Sequence, residues 1–109
     1  MYRRSKLHFL AARFAALLLM VGSEMAYANE ALARQNNCMA CHAIGSALVG
    51  PSYKDVAAKY KGDAEAAAKL IKSIREGGTG KWGQMAMPPQ SQLSEANARK
   101  LATWVLGLK

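Results

Sequence analysis

Apolar residues recur at helical spacing in three stretches of the chain. Tyr53, Val56, Ala57 and Tyr60 stand at i, i+3, i+4 and i+7, which predicts a helix over 52–61 with Pro51 at its start and Gly62 at its end. Ala67, Leu70, Ile71 and Ile74 repeat the pattern, predicting a helix from an Asp63 cap to about Arg75, stopped by Gly77-Gly78. Ala98, Leu101, Ala102 and Val105 do so again, with Trp104 and Leu108 beside them, in a helix beginning at Ser94. A shorter helix is predicted over 30–36, capped by Asn29 with Glu30 in its first turn. No stretch alternates with period two, so no strand is expected. Between the last two helices lie the 17 residues of 77–93, with four glycines and two prolines. A loop that long in so small a chain usually carries function.

The N-terminus reads differently. Arg3, Arg4 and Lys6 precede a mostly apolar stretch, and Ala26-Tyr27-Ala28 offers small residues at the −3 and −1 positions of a cleavage site. The cleanest apolar run, Phe14 to Val21, has eight residues, against roughly 20 for a spanning helix. The pattern predicts a cleaved signal peptide, 1–28, no membrane anchor after cleavage, and a single domain over 29–109.

Charge and size sharpen this. Without Arg3, Arg4, Lys6 and Arg13, 11 of the 15 Lys/Arg remain; without Glu24, 6 of the 7 Asp/Glu remain, a net +5. That balance favours partners with acidic surfaces and salt-sensitive association. It does not suggest nucleic acid, because the lysines are spread along the helices with no aromatic-rich basic cluster. The remaining 81 residues are few and rich in alanine, which buries little area. Such a chain needs a disulfide, a metal or a large apolar cofactor to hold it.

Cys38-Met39-Ala40-Cys41-His42 identifies the staple. C-x-x-C-H reads as a site for covalent haem attachment: thiols three positions apart can meet the two vinyl groups of one porphyrin, and the adjoining histidine falls over the iron. The competing readings are weaker. A thioredoxin-like pair needs strands; structural zinc takes four ligands where only three remain after His8 leaves with the signal; a disulfide closing four residues stabilises little and leaves His42 unexplained. Iron held by His42 (metal ligand) needs a second axial group, and methionine is the natural candidate. Met39 lies inside the attachment turn, which leaves Met85 and Met87. Proline restricts the residue before it to extended backbone, so Pro88 pre-sets Met87 and not Met85.

The chain resembles the small bacterial class I cytochromes c of the c551/c8 type over essentially all of 29–109. The resemblance rests on Cys-x-x-Cys-His, the run Val49-Gly50-Pro51 through Tyr53 to Lys59, Trp82-Gly83, Met87-Pro88-Pro89, and Leu101-Ala102-x-Trp104-Val105. It implies an all-α cytochrome c fold, about four helices wrapped around one haem c attached at Cys38 and Cys41. It implies Met87 as the sixth ligand, the Pro51 carbonyl on the proximal imidazole, and Trp82 near a haem propionate. Gln84 and Ala86 stand where relatives often carry proline, and Gln90 where some carry an asparagine that hydrogen-bonds the ligand sulfur. The expected role is a monomeric periplasmic one-electron carrier between respiratory redox proteins, not an enzyme. The alternative is a haem protein whose labile methionine admits small ligands or peroxide.

Overall fold

The computed structural model describes residues 25–109; most of the expected signal peptide, 1–24, lies outside the described residues. Residues 25–35 form α1. The helix is already running at Met25, so Asn29 sits inside it rather than capping it, earlier than the predicted start. Ala33 is buried on α1 in one cluster with Leu93 and Leu101. Asn37, in the left-handed region at φ 58°, turns the chain into a single 3-10 turn, Cys38–Ala40.

The second helix, α2, spans Tyr53–Lys59, and the predicted stripe of Tyr53, Val56, Ala57 and Tyr60 is buried. Ser52 caps it: its hydroxyl accepts from the Asp55 N–H at 3.0 Å, and the residue is 1% exposed. The third, α3, spans Ala66–Glu76, starting later than expected. Asp63 instead accepts from the Glu65 N–H at 2.8 Å and pairs with Lys69 at 2.7 Å, organising the turn ahead of the helix. Its carboxyl sits below its ordinary range because Lys69 and the Glu65 N–H both favour the anion. The last helix, α4, spans Glu95–Leu106 with Ser94 as its cap.

Packing explains why α4 is central. It lies against both α2 and α3, and Ala98 and Ala102, fully buried, let the backbones approach. Tyr53 of α2 meets Trp104 of α4 edge-on, ring centroids 5.3 Å apart. The architecture is all-α, four helices with no strand among the described residues. No described helix is long and apolar enough to cross a membrane.

Candidate functional site

The site is assembled around the 3-10 turn. The N–H groups of Cys41 and His42 both donate to the Cys38 carbonyl, at 3.2 and 2.9 Å, which winds Cys38, Cys41 and His42 around one tight corner. Both cysteines are free and half-buried. Burial pushes the Cys38 thiol above its usual range, and burial chiefly, with Cys38 adding, raises the Tyr53 phenol. Both groups are therefore neutral in the polypeptide.

His42 is gripped on several sides. Its Nδ1 lies 2.8 Å from the Pro51 carbonyl. A carbonyl only accepts, so Nδ1 carries the proton and Nε2 keeps a free lone pair. The ring stacks on Tyr53 at 5.2 Å and 19°. On another edge it meets the Gly50 backbone so closely that a Cβ there would stand 2.6 Å from the His42 Cε1. The Gly50 N–H holds that segment in place by donating to the Cys41 carbonyl at 2.8 Å.

The two loop methionines are treated differently. Met87 is tethered by a pair of backbone hydrogen bonds with Gly78, its N–H donating at 2.8 Å and its carbonyl accepting at 3.0 Å. Gly77, at φ 69°, passes so near that a Cβ would collide with the Met87 carbonyl and the Pro89 nitrogen. The Gln90 N–H then donates to the Ile74 carbonyl of α3 at 2.9 Å. Met87 is half-buried, whereas Met85 is 70% exposed and has no such tether. The Gln90 side chain donates to the Pro88 carbonyl at 3.1 Å and accepts from Gln92 at 2.9 Å.

Trp82 sits at the loop tip, 45% exposed. Lys59 of α2 lies over its ring, 4.4 Å from the centroid, and donates to the Lys81 carbonyl at 3.1 Å. Sequence reading missed Lys59 and Lys81, since nothing local to either residue signals a contact spanning the loop.

Cys38, Cys41, His42, Pro51, Trp82, Met85 and Met87 all line one cavity of about 450 Å³, within the roughly 300–1,000 Å³ of ligand sites. Apolar walls come from Tyr53, Val56, Leu70, Leu101 and Val105. Two thiols on one turn, an imidazole with its Nε2 lone pair free, a thioether on a tethered strap and an apolar slot together fit a haem. They do not form a metal cage: among the described residues no three His, Cys, Asp or Glu side chains gather.

The sequence profile of the cytochrome c family matches residues 28–109. Cytochrome c-551 of Allochromatium vinosum is 45% identical over 93 residues, 85% of this chain and 99% of the relative. Cytochrome c-551 of Azotobacter vinelandii is 53% identical over 77 residues, 71% of this chain and 93% of the relative. The crystal structure of Nitrosomonas europaea cytochrome c552 superimposes with a TM-score of 0.72 at 48% identity, covering 73% of this chain and 99% of that one. The cavity and these likenesses lead to one conclusion: the chain belongs to the cytochrome c family, a monohaem c-type cytochrome of the small c551 type that carries one covalent haem c and is an electron carrier rather than an enzyme.

Proposed function

We propose that this chain is a periplasmic carrier of single electrons between respiratory redox proteins. In this reading Cys38 and Cys41 would hold the haem covalently, and His42 and Met87 would ligate its iron. The observation that carries it is that the freed His42 Nε2 and the tethered Met87 line the same cavity. When bound, haem c supplies a one-electron couple at its iron. The polypeptide does the rest. Pro51 fixes the tautomer and orientation of His42; the Gly78 pairing presents Met87; the apolar walls keep water away. A strap held by backbone hydrogen bonds disfavours ligand loss, and among the described residues no arginine or second histidine lines the cavity, which weighs against the peroxide alternative. Export fits the small residues before Asn29 and a family match that starts at residue 28. Cleavage there would leave Asn29 to begin α1.

Leu48 and Val49, 57% and 56% exposed, follow the attachment turn and offer an apolar contact for a partner, with the net positive charge of 29–109 steering acidic surfaces towards it. Reduced holoprotein mixed with ferricyanide, an anionic oxidant, should react more slowly as ionic strength rises, while a cationic cobalt oxidant should react faster. A ferricyanide rate that is flat or rises with salt would show that charge does not guide approach to the haem.

A further inference from the structure

We infer that Lys81 is the cationic partner of a haem carboxylate at the rim of the cavity, and that it raises the reduction potential of the bound haem. The inference rests on the reading that haem fills this cavity. Every haem c brings two propionates, and a carboxylate at the edge of an apolar slot is costly unless a donor or a positive charge meets it. Of the described residues lining the cavity, Lys81 alone is charged.

Its surroundings hold it ready. The Lys81 ammonium donates to the Ser73 hydroxyl of α3 at 3.3 Å, a neutral partner that leaves the charge uncompensated. The three ion pairs among the described residues engage Arg34, Lys69 and Arg99, so Lys81 has no carboxylate partner there. Its backbone is fixed from the other side, where Lys59 donates to its carbonyl at 3.1 Å and lies over the neighbouring Trp82. Lys59 is thus a positioning residue that ties the loop tip to the end of α2. Gly80, at φ 89°, closes the tip by donating to the Gly83 carbonyl at 3.0 Å, which sets Lys81 and Trp82 together on the rim.

Oxidation adds one positive charge at the iron, and the nearby positive charge of an ammonium opposes it; a propionate left without its cation would favour it. Removing Lys81 therefore lowers the potential by both routes. The test compares purified holoproteins: wild type, Lys81→Ala, Lys81→Gln, Lys81→Arg, and Lys100→Ala as a control on the exposed side of α4. Pyridine haemochrome first counts haem per chain, and spectroelectrochemical titration then reads the potential. At a fixed applied potential near the wild-type midpoint, Lys81→Ala and Lys81→Gln should raise the oxidised-to-reduced ratio about two- to fivefold, the scale of a partly exposed charge pair. Lys81→Arg should stay near wild type, and Lys100→Ala should move the ratio less. Equal shifts for Lys81→Gln and Lys100→Ala, with one haem on each chain, would overturn this inference alone. A wild type without covalent haem would overturn the parent reading and this one with it.

Discussion

Replacing Met87 by leucine should abolish the sulfur-to-iron absorbance band near the red end of the oxidised spectrum and lower the reduction potential, while Met85→Leu leaves both nearly intact. Both methionines belong to one loop and both line the cavity, so reach does not separate them. Side chains two residues apart on extended backbone point the same way, so alternation does not either. Restraint does. Pro88 confines the Met87 backbone before any ligand binds, and the paired hydrogen bonds to Gly78 fix its place against the end of α3. Ordering costs of about 1–2 kcal/mol per residue are therefore met by the fold at Met87, whereas Met85, largely exposed, would meet them on ligation. Loss of the band in Met85→Leu with retention in Met87→Leu would reverse the assignment. Retention in both would mean that either sulfur can serve.

The polypeptide made without haem, as Cys38→Ser, Cys41→Ser, should be largely unfolded. Among the described residues the buried core contains five alanines, Ala33, Ala57, Ala66, Ala98 and Ala102, and the cavity runs between its helices. Without haem an open, apolar-walled cleft of about 450 Å³ is left to solvent, and the packing a porphyrin would give its walls is lost. The whole stability of a domain is only about 5–15 kcal/mol, so without that packing the empty fold has little or nothing left. Circular dichroism with thermal melting decides the point. A flat, weakly helical trace agrees; near-native helicity with a cooperative melt would show that side chains alone suffice.

Much of this was legible in the sequence because it is local. The stripe from Tyr53 to Tyr60 and the run from Ala98 to Val105 announce helices by spacing, and Cys38 to His42 announces haem by chemistry within five residues. The imidazole slot was legible only in part. Resemblance pointed to Pro51, but the need for Gly50 comes from a ring arriving against its backbone, which no local pattern contains. Asp63 looked like a helix cap because Asp before an amphipathic run usually is one; its bond to the Glu65 N–H builds a turn first, and α3 starts three residues later. The Gly78–Met87 pairing and the Lys59–Trp82 contact were invisible for a different reason. The first pairs backbone groups that any residue could offer, nine positions apart in one loop, and the second brings a lysine over a ring 23 positions away, so only the folded arrangement selects them.

The central claim, that one haem is bound covalently through both cysteines of an exported chain, is tested most directly by the intact mass of the purified protein under denaturing conditions. The expected mass is that of residues 29–109 plus one haem, with no free thiol and the colour retained through acid–acetone extraction. A mass without haem, showing two free thiols or a Cys38–Cys41 disulfide, would contradict the account.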